Sequence, residues 1–147
     1  MSFIKLLALL SVIITSGCAS EPKYKSPTNS EEVELAQISL YRAKKFYRAN
    51  EYPFFYIDGK LAGKMGPGDS IIAKVIAGRH IITVREPFLF IPGSESGRID
   101  HDFKKDGKYY LRYSVDSDIP FLLGNTVVAS GSSTFSLSDE KSFNEKK

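Results

Sequence analysis

Four stretches of the chain carry residue types that chemistry uses. They are Cys18, the histidine pair His80 and His101, the run Gly93-Ser94-Glu95-Ser96-Gly97, and the basic stretch Lys44-Lys45-Phe46-Tyr47-Arg48. Cys18 is the sole cysteine, so an intramolecular disulfide is closed to it. The small residues Thr15-Ser16-Gly17 precede it, directly behind an apolar run. Small side chains at these positions let the backbone enter a peptidase site once the sulfur has been acylated. In an exported chain, a lone thiol is best explained as one consumed by such a modification.

The other three stretches point more weakly to chemistry. His80 alternates with Ile82 and Val84, and His101 with Ile99 and Phe103, so both are expected on strand faces. Asp100 and Asp102 then project to the face opposite His101, and no metal centre is expected. The glycine-serine run has the outline of a hydrolase elbow, but its middle residue is Glu95 and no strand-to-helix unit surrounds it. It is expected to be a flexible loop. Gly66 and Gly68 precede a strand, which offers no helix N-terminus to a phosphate. The chain is therefore read as non-enzymatic, with no cofactor. Arg42, Lys44, Lys45 and Arg48 are candidate contacts to anionic head groups or a wall polymer, with a solvated loop as the alternative.

The segments around Cys18 explain its setting. Met1 to Lys5 is a short basic start and Leu6 to Ile14 an apolar run, which is signal-peptide anatomy over residues 1–17. A membrane-spanning helix needs about 20 apolar residues, more than this run supplies. The Cys18 motif resembles that of bacterial lipoproteins, with Thr15 where such proteins more often have leucine; a secretory cut after Ala19 or Ser20 is the competing reading. The resemblance implies a lipid on Cys18 that holds the protein to a membrane. With Ala19 following, it also implies the periplasmic face of the outer membrane in a double-membraned host, or the exterior of the cell membrane otherwise.

Residues 18–34 form a lipidated cysteine and flexible tether by composition, rich in Pro, Ser and charge, with Tyr24 and Val33 as the only large apolar residues. Fully extended, the tether reaches roughly 50 Å. A helix starting at Ser30 is the second reading. Residues 35–140 are expected to fold as one domain, and residues 141–147 as a polar tail. Hydrophobic residues at 42% and charged residues at 25% suit one packed core rather than disorder. The net charge of +3 drops by one, to +2, when Lys5 leaves, too little for a nucleic-acid binder.

Within 35–140, turn signals recur between short β-branched and aromatic segments. Strands are expected near Ala36–Arg42, Pro53–Ile57, Lys60–Lys64, Ser70–Ile76, Arg79–Glu86, Arg98–Phe103, Lys108–Val115, within Phe121–Ala129, and at Thr134–Leu137. Asp58-Gly59 is the strongest hairpin signal, and Ala77-Gly78 and Lys104-Gly107 read as further turns of a meander. The expected fold is all-β: a small antiparallel β-sandwich of about eight short strands.

The order Ile38 to Arg42, Tyr56-Ile57-Asp58-Gly59-Lys60 with Gly63, Ala77-Gly78-Arg79-His80, and Asp106-Gly107-Lys108-Tyr109-Tyr110-Leu111-Arg112 is similar to that of the lipoprotein family catalogued as domain of unknown function 2846. That resemblance implies a small β-sandwich and brings no catalytic residue or cofactor. Two apolar stretches sit where loops are expected: Phe88-Leu89-Phe90-Ile91 between Pro87 and Pro92, and Ile119-Pro120-Phe121-Leu122-Leu123. They either enter the core or meet another protein, and the core reading leads because a small domain uses most of its aromatics inside. Phe88, Phe90, Ile91, Phe121 and Leu122 are thus the candidate partner surface. The expected function is a lipid-anchored envelope interaction or structural module; the alternatives are a small-ligand or wall-polymer binder and, third, an envelope hydrolase.

Overall fold

The computed structural model describes residues 20–28, 33–45, 48–117, 121–123, 126–128 and 131–145. Cys18, the apolar leader, Phe46, Tyr47, Ile119, Pro120 and the helix start at Ser30 lie outside the described residues. The strands are β1 (Leu35–Arg42), β2 (Phe54–Ile57), β3 (Lys60–Lys64), β4 (Ser70–Ile76), β5 (Gly78–Phe88), β6 (Ile91–Phe103), β7 (Lys108–Ser117), β8 (Phe121–Leu123), β9 (Thr126–Val128) and β10 (Gly131–Ser138). Sheet I has the order β10-β7-β1-β4, sheet II the order β3-β2-β5-β6, and β8 and β9 form a separate hairpin. The two four-stranded sheets pack face to face as the expected β-sandwich.

The core is the set of inward residues that alternation marks. Ile38 and Leu40 of β1, Val75 of β4, and Leu111 and Tyr113 of β7 meet Phe55, Ile57, Ile82, Val84 and Phe103 from sheet II. The outer face of β1 is also covered: Ser39 and Tyr41 are buried. Tyr41 sits edge-on to Phe143 at 5.5 Å, and Phe143 belongs to a short helix α1 (Glu140–Asn144). Asp139 caps that helix by accepting from the Ser142 N–H at 2.8 Å. The polar-looking C-terminal stretch therefore carries one apolar anchor.

The topology departs from a meander. Ala77-Gly78 and residues 104–107 do not close hairpins; they carry the chain from one sheet to the other. β1 and β7 run parallel, with Ile38 opposite Tyr109 and Leu40 opposite Leu111. Asp58-Gly59 does close a hairpin, with positive φ at both residues (49° and 74°), as the pair was expected to do. Gly107 does not need a positive φ; that burden falls on Asp106 at 56°. Asp58 also latches the turn, its carboxylate accepting from the Ile81 N–H at 3.0 Å.

Residues 20–28 are laid against the sandwich. Lys23 bridges Leu61 in parallel, the Tyr24 N–H donating to the Leu61 oxygen and the Leu61 N–H to the Pro22 oxygen, both at 2.8 Å. The Tyr24 hydroxyl donates to the Lys74 oxygen at 2.5 Å, and the Lys74 N–H donates to Ser26 Oγ at 3.1 Å. This segment spans from the edge of sheet II to the edge of sheet I, so it blunts two strand edges. Composition suggests a free linker because most of its residues are polar; the one tyrosine, packed against the core, supplies the apolar contact that holds it.

Candidate functional site

The β5–β6 ribbon carries the candidate site. Phe54 of β2 is opposite Arg85, so the pairs Pro87–Pro92 and Phe88–Ile91 lie beyond the end of β2. Leu89 and Phe90 form the two-residue turn, with Leu89 at φ 57°. A left-handed conformation costs an L-residue about 1 kcal/mol, so the tip is a strained turn built from large apolar side chains. Phe88, Leu89, Phe90 and Ile91 are 66%, 79%, 90% and 61% exposed. The expectation that this stretch enters the core is therefore wrong. The prolines stop the sheet from extending over it, and the tight turn leaves its side chains outside.

The glycine-serine run explains how the ribbon reaches this position. It is not a loop: Gly93 to Gly97 lies within β6. Val84 faces Gly97 while Arg85 faces Glu95, and Arg85 to Pro87 spans one fewer residue than Pro92 to Glu95. β6 thus holds extra residues at two points, two bulges that bend and twist the ribbon. Gly97 is required by packing, since a Cβ there would stand 2.5 Å from Phe135 Cβ in β10.

Arginines fix the base of the tip. Arg42 is 2% exposed and its guanidinium donates to the backbone oxygens of Glu51, Met65 (3.2 Å) and Arg48 (2.8 Å). Burial lowers the Arg42 pKa from its ordinary value. The loop thus closed presents Arg48, which pairs with Glu51 and with Glu86 of β5, each at 2.7 Å. The hydrogen bond from Arg48 to Glu51 is the main cause of a raised Arg48 pKa. Between loop and tip, Asn50, Tyr52, Phe54, Lys64, Pro87 and Phe90 line a cavity of about 480 Å³. The Lys64 ammonium lies 4.3 Å above the Phe54 ring, leaving this groove with an apolar floor and a cationic rim.

The remaining candidates fall elsewhere. Arg48 is committed to its two carboxylates, whereas Lys44 and Lys45 line a separate cavity of about 390 Å³ with Tyr41 and Arg112. Lys45 also pairs with Asp116 at 3.0 Å, which is the main reason the Asp116 pKa is lowered. Phe121 and Leu122 lie in β8, apart from the β5–β6 ribbon in the topology; their side chains are outside the described residues. His80 and His101 are opposite one another on β5 and β6. Both His80 ring nitrogens lie 2.6 Å from oxygens, of Asp58 and of Ile76, and His101 stacks edge-on to Phe103. Among the described residues, no group of three or more His, Cys, Asp or Glu is arranged to hold a metal.

The expectation that Arg42 is a surface cation for head groups or a polymer is wrong, because it is buried on three carbonyls, and sequence reasoning did not find the Arg48–Glu86 clamp. A single arginine ending an apolar strand was the available signal, but nothing local says that its partners are three carbonyls. What the fold and site define is a class: a two-sheet all-β domain with an exposed, apolar hairpin tip. No protein-family model matches the chain, and no curated protein matches it.

Proposed function

We propose that this protein is a lipid-anchored component of the bacterial envelope whose non-catalytic β-sandwich serves as an interaction module, with the β5–β6 tip as its contact surface. The observation that carries the reading is the tip itself: four consecutive large apolar side chains held in solvent by a clamped ribbon. Burying such side chains is worth about 1.5 to 3 kcal/mol each, so a surface of this kind is disfavoured unless something covers it. The leader and Cys18 support the anchor, and Ala19 supports the periplasmic face of the outer membrane. The turn motifs support kinship with the lipoproteins of domain of unknown function 2846.

The test is crosslinking in intact cells, comparing the parent with the double variant Phe88→Ser, Phe90→Ser. Both side chains are mostly exposed, so the unfolding free energy should move by no more than about 0.5 kcal/mol. Loss of a specific crosslinked protein at unchanged stability supports the contact surface. Identical crosslinks from the variant overturn it. Cys18→Ala should abolish palmitate labelling and leave an uncleaved precursor; a parent that takes up no palmitate overturns the anchor.

A second reading, a binder of an anionic small ligand or wall polymer, is favoured by the cavity beside Lys44, Lys45 and Arg112. It predicts that Lys44→Glu, rather than the tip variant, removes binding of an anionic polymer.

A further inference from the structure

The strap of residues 20–28 has a direction, and that direction constrains what the apolar tip can meet. Lys23 runs parallel to β3 beside Leu61, so the chain upstream of it heads back toward the Asp58-Gly59 turn. Glu21 is fixed there as well, its carboxylate accepting from the Tyr56 hydroxyl at 2.6 Å. That end of the sandwich also holds the start of β5 and the end of β6, since Ile57 faces Ile82 and Gly78 faces Phe103. The tip lies at the other end of the same ribbon. From Gly78 to Phe88 the strand rises about 33 Å at the ordinary extension of a β-strand.

The reach of the anchor follows from the same contacts. A free tether of residues 18–34 would let the domain roam roughly 50 Å from the bilayer and turn any face toward it. With Glu21 held, only three peptide steps separate Cys18 from a fixed point on the fold, a reach of about 11 Å. Reversing the domain would require releasing the contacts to β2, β3 and β4. We propose that residues 20–28 are an orienting strap, which seats the Asp58-Gly59 end of the sandwich on the lipid surface and points the apolar tip away from it. The occupant of the tip is then a protein surface offering an apolar socket, standing off the bilayer, and not the bilayer that carries the lipid. The prolines at the tip and the bulges behind it disfavour strand addition, so the partner engages side chains rather than the sheet edge. This rests on the lipid-anchor reading above.

The full-length lipidated protein, reconstituted into vesicles of phosphatidylethanolamine and phosphatidylglycerol with a head-group quencher, tests the orientation. A fluorophore is attached at Lys60→Cys, beside the Asp58-Gly59 turn, or at Ser94→Cys, behind the tip. The label at position 60 should be quenched several-fold more than the label at 94. Adding Tyr24→Phe with Ser26→Ala, which removes the two bonds to Lys74 but leaves those to β2 and β3, should narrow the difference without abolishing it. Equal quenching in the parent, or stronger quenching at 94, overturns the orientation. Amide exchange reads the strap without reference to any lipid: the Leu61 and Lys74 N–H groups should be protected in the parent, and Lys74 at least tenfold less so in the double variant. Equal Lys74 exchange overturns the strap. A chain that does not float with the vesicles overturns the anchor, and the orientation with it, whatever exchange shows.

Discussion

Replacing Arg42 with methionine should be among the most damaging single changes in the described fold. Methionine keeps much of the alkyl volume, so the change isolates the guanidinium. That group is buried and donates to three carbonyl oxygens, of Arg48, Glu51 and Met65. A hydrogen bond to a charged group contributes about 1.5 to 3 kcal/mol, and orphaned carbonyls recover part of that loss where water can enter. Against this stands the cost of burying a cation with no carboxylate in direct contact, which the methionine removes. Balancing the two leaves an expected loss of about 2 to 4 kcal/mol, a large share of the 5 to 15 kcal/mol typical of a domain. Urea unfolding at neutral pH measures it, and Arg42→Lys should fall between parent and methionine because an ammonium cannot fork to the same three oxygens. The same variants should loosen the Arg48 to Glu51 stretch, read as faster exchange at the Glu51 N–H, which donates to the Arg48 oxygen at 3.1 Å. A methionine variant within about 0.5 kcal/mol of the parent would refute the claim that this arginine closes the loop beneath the tip.

Gly97→Ala forces its new methyl against Phe135 and should cost about 1 to 3 kcal/mol, whereas Ser94→Ala, at an exposed position of the same strand, should be nearly silent; equal effects would mean that β6 and β10 are not in close contact. Tyr113 is buried and that burial raises its pKa, so the folded state holds its phenolic proton more tightly than the unfolded chain does. The stability from this term is complete below the unfolded value near 10 and is lost as pH rises through the higher folded value; Tyr113→Phe should therefore flatten the decline in unfolding midpoints above about pH 10, and an unchanged slope would show that the group titrates normally.

The strand list was open to direct reading because its signals are local. The alternation of Ile38 and Leu40 with Ser39, or of Leu111 and Tyr113 with Arg112, reports which face is apolar without knowledge of any partner. Asp58-Gly59 announced its hairpin because the two positive φ angles are a property of the turn alone. Local patterns also fixed the sandwich class, since many short strands of this kind have few other ways to bury one face.

Tertiary structure decided what depends on distant residues. The Ala77-Gly78 and 104–107 turns look like hairpin turns, and only the pairing of β1 with both β4 and β7 makes them crossings between sheets. Composition leaves residues 20–28 a linker, because the acceptors that hold Tyr24 belong to β3 and β4, decades of residues away. Phe88 to Ile91 reads as core by hydrophobicity; its exposure follows from β5 and β6 outrunning β2, a matter of relative strand length that no single segment encodes. Arg42 is the sharpest instance: an arginine at a strand end is ordinarily solvated, and it is buried here because the backbone oxygens of a loop and a turn converge on it. Periodicity and turn chemistry act over a few residues and survive in one dimension, whereas burial and polar satisfaction are sums over whatever the fold brings near.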